Sequence, residues 1–251
     1  APGVTAKDMM LHMIGRFGMN GGQYQAVEFC GTAVQALSMQ ERMTMSNMSA
    51  EMGAQAGLIA PDAVTSDWLA RTGAVDVDTA GWFTDEGADA INHRFDAATL
   101  APQVAAPHSP ANTKDVSAFA DVAVQVAYIG ACTGAKLDDL RAAAHVLRGH
   151  RVASGVRLMV APASVQDQSE AESEGVMQVL RDAGAEVLPT ACGACSGYGG
   201  TIPDGANVVA TTARNFKGRM GSATAQVYLA SPYTAAASAL RGRIRDPREV
   251  V

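Results

Sequence analysis

The stretch VAVQVAYIGACTGAKLDDLRAAAHVL, residues 122–147, reads as a strand, a turn and a helix. Val122–Ile129 is short, mostly apolar and rich in β-branched residues, as a strand buried on both faces requires. Gly130–Gly134 supplies a turn of small residues around Cys132, and Leu137–Leu147 then takes up helical spacing. The alternation continues downstream. Val156–Val160 is strand-like, and Asp167–Ala183 is helical, from a start near Ser164 or Asp167 to a stop at Gly184. Glu186–Leu188, Val208–Thr212 and Gln226–Ala230 read as further strands, and Pro232–Leu240 as a closing helix. Strands alternating with helices predict a mostly parallel, doubly wound α/β sheet covered on both faces, assigned to residues 113–251.

Upstream the texture changes. Nine of the 12 methionines fall between Met9 and Met52. Ala6–Phe17 has a helical stripe of Met9, Met10, Met13 and Ile14, which reads as flexible core filling, and Gly18–Gly22 breaks it. Ala33–Met39 and Asn47–Ala56 read as further helices. Thr99–Thr113 carries Pro102, Pro107 and Pro110 without helical period and predicts an exposed linker. Residues 1–112 are therefore read as a first, more helical α/β lobe carrying Asn47 and Glu51.

Composition narrows the function classes. With 48% apolar and 18% charged residues the chain can fill a core, which excludes wholesale disorder. Its 19 basic and 25 acidic residues give a net charge of −6 with no basic stripe, which argues against nucleic acid and anionic membrane as partners. No apolar run reaches the roughly 18 residues of a membrane span. The N-terminus, APGVTAKDMM, has no basic segment followed by an apolar one, so no signal peptide is read. The four cysteines are too few for a disulfide scaffold, and a cytoplasmic setting with reduced thiols is expected. His145 and His150 lack partners at metal-ligand spacing. Cys30 stands apart and is expected to be a small buried hydrophobe.

In an open α/β sheet, ligands gather beyond the carboxyl ends of the strands. Cys132 follows the first strand of the second lobe. Cys192 and Cys195, in C-G-A-C, follow the third, and Arg214 and Arg219 follow the fourth. Three thiolates from two loops suggest a metal site. Zinc normally takes four ligands, commonly two C-x-x-C pairs, and only one pair is present. A lone redox C-x-x-C has no use for Cys132. An iron–sulfur cubane held by three thiolates keeps one iron open as a Lewis acid. Spacing alone leaves cluster, zinc and a redox pair or coincidence all standing. Arginine forks suit carboxylates, although R-N-F-K-G-R also reads as a solvated turn. Asn47 and Glu51, four apart, would share a helix face, but equally read as a cap and an early-turn acid.

Six segments in order carry a resemblance. They are PGVTAKDMMLHMIG, RMTMSNMSAEMGAQAGLIAPD, YIGACTGAKLDDLRAAA, ACGACSG, ARNFKGRMG and YLASPYTAAASALRG. Together they resemble the aconitase superfamily of hydro-lyases, particularly the large subunits of 3-isopropylmalate dehydratase and homoaconitase. The resemblance implies that Cys132, Cys192 and Cys195 ligate a [4Fe–4S] cluster. It implies that Glu51 hydrogen-bonds the leaving hydroxyl, with Asn47 beside it, and that Arg214 and Arg219 bind substrate carboxylates. The implied reaction dehydrates a hydroxy di- or tricarboxylate and rehydrates it at the neighbouring carbon. A small swivel-domain subunit is the implied partner.

Two departures stand out. Where the family usually has Ser-Cys-Thr-Asn, this chain has Ala131-Cys132-Thr133-Gly134, and Ala213 replaces an asparagine before Arg214. Fewer polar groups near the sulfurs should shift a cluster's potential. Relatives also carry, before the match to Gly3-Val4-Thr5, a segment with a D-S-H-T motif, and no D-S-H occurs here. The chain is thus expected to be the cluster-bearing part of a larger enzyme; the alternative is a non-catalytic iron–sulfur or assembly module on the same fold.

Overall fold

The computed structural model describes residues 1–74, 76–198 and 202–250. In chain order the elements are α1 (Ala6–Phe17), β1 (Ala26–Glu28), α2 (Thr32–Gln35), α3 (Met39–Met48), β2 (Ala56–Leu58), α4 (Ala63–Arg71), β3 (Gln103–Ala105), β4 (Thr113–Asp115) and β5 (Val126–Gly130). They continue with α5 (Leu137–Leu147), β6 (Arg157–Ala161), α6 (Val165–Ser173), α7 (Val176–Asp182), β7 (Glu186–Val187), β8 (Asn207–Ala210), β9 (Gln226–Ala230) and α8 (Pro232–Arg241). The fold is α/β, with mostly parallel strands covered by helices.

The main sheet has seven strands in the order β4-β3-β9-β8-β5-β6-β7. From β9 to β7 all pairings are parallel, while β3 runs antiparallel to both β9 and β4. The middle of the five-stranded parallel part is β5, whose Val126 faces Val208 on one side and Arg157 on the other. Alternate residues of β5 serve different cores, as a period of two requires. Val126 and Tyr128 pack with α1 and α3. Ala127 and Ile129 pack with α5, α7 and α8. Burial on both faces explains why this strand is apolar throughout. β1 and β2 form a separate parallel pair. The 112/113 division between the lobes falls in the loop joining β3 to β4, and one apolar cluster joins α1 and α3 to the sheet.

Local chemistry sets the helix ends. α1 starts at Thr5, whose backbone N donates to Asp8 Oδ2 at 2.8 Å. α8 has Ser231 as its N-cap, Pro232 at its first turn and a left-handed Gly242 at its end. α5 buries Leu137, Leu140, Ala144 and Leu147, a single helical stripe.

Several expectations change. Thr99–Thr113 is not an exposed linker: β3 is wholly buried within the sheet, and the prolines lie outside its three paired residues. Asp167–Ala183 is two helices, because Gly175 adopts φ 73° and breaks the ladder between α6 and α7. Ala33–Met39 and Asn47–Ala56 are replaced by the short α2 and by α3. The start of α3 is set by a reciprocal cap, with Glu41 N donating to Ser38 Oγ at 3.2 Å and Ser38 N to Glu41 Oε2 at 3.3 Å. Asn47 therefore lies in the last turn of α3, not at a helix start. Glu51 lies in the 3₁₀ turn Ser49–Met52, which stops at a left-handed Gly53. A Cβ at Gly53 would stand 2.5 Å from Met19 O, so the close approach of that loop requires glycine. Cys30 is exposed, not buried, because its neighbour Phe29 takes the inward position after β1. Among the described residues no helix is long and apolar enough to cross a membrane.

Candidate metal and substrate site

After β5 the chain winds outward through β6 and β7, then returns to β8 on the other side of β5. The crevice beyond the carboxyl ends of β5 and β8 is thus the topological switch point, where open α/β sheets bind ligands. Cys132 follows β5 and Arg214 follows β8. Ala131 takes a left-handed φ of 70° as the chain turns into the Cys132 loop.

Thr211 holds this loop to the sheet. Its Oγ1 accepts from Gly130 N at 2.9 Å and lies 3.1 Å from Gly134 O. Thr133 Oγ1 donates to Thr211 O at 3.1 Å. Beneath the loop, Lys136 Nζ donates to Cys132 O at 3.1 Å, Thr44 Oγ1 at 2.7 Å and Asp139 Oδ2 at 2.9 Å. Asn47 Nδ2, reaching from α3, is 3.4 Å from Cys132 Sγ.

The second loop makes a 3₁₀ turn over Gly193–Ser196, bounded by left-handed Gly193 and Gly197. Tyr128, fully buried under it, donates from Oη to Cys192 O at 3.3 Å. All four cysteines are free thiols. Cys132 and Cys192 are exposed and Cys195 is buried. Burial pushes the Cys195 thiol above its ordinary range and Arg219 opposes this, while Cys192 and Cys132 are near enough to raise it further. Arg219 Nη2 lies 3.9 Å from Cys195 Sγ. Its Nε is buried with no partner among the described residues.

Glu51 and Arg214 pair with each other. Arg214 Nε donates to Glu51 Oε1 and Oε2 at 2.8 and 2.9 Å. Glu51 is only 3% exposed, whereas the Arg214 side chain is 40% exposed. The structure thus brings Asn47 to Cys132, Glu51 to Arg214 and Arg219 to Cys195, with Cys192 on the same loop as Cys195. Among the described residues no three His, Cys, Asp or Glu side chains converge to hold a metal ion. A tetrahedral zinc asks for such convergence; in a cubane each thiolate meets a different iron. The donor set suits the second arrangement: free thiols on two loops, with Asn47 and Arg219 N–H groups directed at sulfur.

A model of the aconitase family (aconitate hydratase) matches residues 1–123 and 112–242. The chain belongs to the aconitase family. It is 43% identical over its whole length to a protein of Pyrococcus furiosus named 3-isopropylmalate dehydratase large subunit 1, covering 59% of that relative. It is 44% identical to the 3-isopropylmalate dehydratase large subunit of Nitratidesulfovibrio vulgaris, over 97% of this chain and 58% of the relative. It is 42% identical to the 3-isopropylmalate dehydratase large subunit 2 of Archaeoglobus fulgidus, over 98% of this chain and 60% of the relative. The chain spans about three fifths of the length of the curated relatives it matches.

Packing accounts for one departure from the family pattern. A Cβ on Gly134 would stand 2.2 Å from Thr211 Cβ and 2.6 Å from Thr211 O, so an asparagine has no room there. Ala213 packs against the apolar cluster.

The sequence reading missed Thr211, Tyr128, Lys136 and Lys7. One signal was available for Lys7. It lies four residues before Leu11 and seven before Ile14, on the apolar stripe of α1, where a charge is costly without a purpose.

Proposed function

We propose that this chain is the cluster-bearing part of a hydro-lyase large subunit. Its substrate would be a hydroxy di- or tricarboxylate such as isopropylmalate, dehydrated to an alkene and rehydrated at the neighbouring carbon. What supports the reading is three contacts on the loops beyond the carboxyl ends of the parallel strands, Asn47 with Cys132, Glu51 with Arg214 and Arg219 with Cys195. Bound to Cys132, Cys192 and Cys195, a [4Fe–4S] cluster would supply an iron without a protein ligand, a Lewis acid for the departing hydroxyl.

The chain's own residues have distinct tasks. Arg219, whose Nε has no partner among the described residues, would bind a substrate carboxylate through its guanidinium. Arg214, half exposed, takes a second carboxylate and in doing so releases Glu51. Glu51, buried and freed from its ion pair, hydrogen-bonds the leaving hydroxyl. Asn47 holds the Cys132 sulfur with an N–H donor and so bears on the electron density there. The base that takes the proton from the neighbouring carbon belongs, on the family resemblance, to the small subunit. The relatives' designation as large subunits supports that partner. Reduced thiols suit a cytoplasmic setting.

The test is an anaerobic assay of the full protein with its small subunit on isopropylmalate, homocitrate and citrate. Formation of an alkene acid from one of them is expected. Absence of hydration of every alkene intermediate, in iron-loaded protein, would show a cluster-binding module without catalysis. Arg219→Lys should weaken substrate binding by about 1–3 kcal/mol through loss of the planar fork, and unchanged affinity would refute that role.

A further inference from the structure

Lys7 sits in the first turn of α1 and is 2% exposed. Its Nζ donates to Thr212 O at 2.8 Å and touches Met48 Sδ at 3.9 Å. Among the described residues it makes no ion pair, whereas Lys136 nearby is paired with Asp139. The ammonium therefore lies where α3 ends beside Asn47 and where β8 runs out toward Arg214. Its titratable neighbours are Asp139, Lys136, Asp8 and Cys195; burial outweighs them all and brings it down to about 8.

A buried cation with one carbonyl, one thioether and no paired carboxylate is poorly compensated. Replacing such a group by an apolar one of similar size is commonly neutral or stabilising. Its purpose must then lie with something the chain receives. Three thiolates and a dicarboxylate would bring several negative charges to this floor, against which a fixed positive charge is favourable.

We infer that Lys7 is a positioning and charge-balancing residue, holding the end of β8 and stabilising an anionic iron–sulfur group seated on the cysteine loops. This rests on the cluster reading above. The role is distinct from ligation, since Lys7 is no thiolate, and from substrate binding, since it is buried with its Nζ donated to Thr212 O.

The test compares wild type with Lys7→Met and Lys7→Gln in the full protein, before and after anaerobic loading with iron and sulfide. Without the cluster, Lys7→Met should melt at or above the wild-type temperature, because a poorly compensated buried charge has gone. With it, both variants should show a more negative midpoint potential and lose iron to a chelator several-fold faster. Opposite signs in the two states are the signature of charge balance. A Lys7→Met protein that fails to fold unloaded would make Lys7 a structural residue and overturn the proposal. Wild-type potential in Lys7→Gln alone would assign the effect to the Thr212 hydrogen bond and also overturn it. Wild-type potential in both variants would overturn it while leaving the cluster reading intact. Wild-type protein that takes up no iron would instead remove the cluster reading, and this proposal with it.

Discussion

The two loops that carry the three cysteines are held by opposite means. The Cys132 loop is wedged: Gly134 lies against Thr211 with no space for a Cβ, and Thr211, Thr133 and Lys136 tie its backbone down. The Cys192–Cys195 loop is tethered: a Tyr128 hydrogen bond at 3.3 Å and a long Arg219 contact at 3.9 Å connect it to the rest of the site. On the proposed reading, a bulky inorganic group would meet one wall preset by packing and a second held by fewer contacts.

Gly134→Ala attacks the wedge and should have the largest effect. The new Cβ meets both the side chain and the carbonyl of Thr211, so stability to urea should fall by about 3 kcal/mol, with part returned by Thr211→Gly in the same chain. Full stability of the single variant would mean that the first loop is as loose as the second.

α1 packs against α3 and β3, and Asp8 anchors that helix to β3. Asp8 is fully buried, accepts from Gln103 N at 2.8 Å, and burial pushes its carboxyl up to about 6 from 3.8. The folded state thus prefers the protonated form. That contribution is complete below pH 3.8 and is lost as pH rises through about 6. By this group alone, unfolding free energy should drop by roughly 3 kcal/mol across that window, and Asp8→Asn should flatten the profile. Thermal melts of the unloaded protein from acid to neutral pH check it; the same slope in the variant would contradict it.

Tyr128→Phe addresses the tether alone. It removes one hydrogen bond, a loss of about 1 kcal/mol, and should speed alkylation of Cys192 while Cys132 keeps its rate. Equal acceleration of both would erase the distinction between the loops. The smallest expected effect is that of Asn47→Ala. It loses a single N–H contact to sulfur at 3.4 Å, and should raise Cys132 alkylation modestly with Cys192 unchanged.

The parallel sheet was legible because β5, β6, β8 and β9 are buried on both faces and read as short apolar runs between turns. The placement of the cysteines and arginines at one edge followed from that topology. What was hidden depended on tertiary contact. α3 begins in a polar run, and only the reciprocal Ser38–Glu41 cap marks it. β3 has just three residues, and its strand character comes from pairing with β9 and β4. The Glu51–Arg214 pair joins residues 163 positions apart, which no local pattern reveals. Thr211 and Gly134 fit each other across 77 positions, so neither stood out alone.

The central claim is that Cys132, Cys192 and Cys195 together hold a cluster with one iron free of protein ligation. The most direct measurement is anaerobic reconstitution of the full protein with iron and sulfide, counting both, followed by EPR after mild oxidation. The account expects a three-iron signal, as one iron departs from a cluster with three thiolate ligands, and loss of that signal in Cys192→Ser. A single zinc, or folded protein that retains no iron, would contradict it.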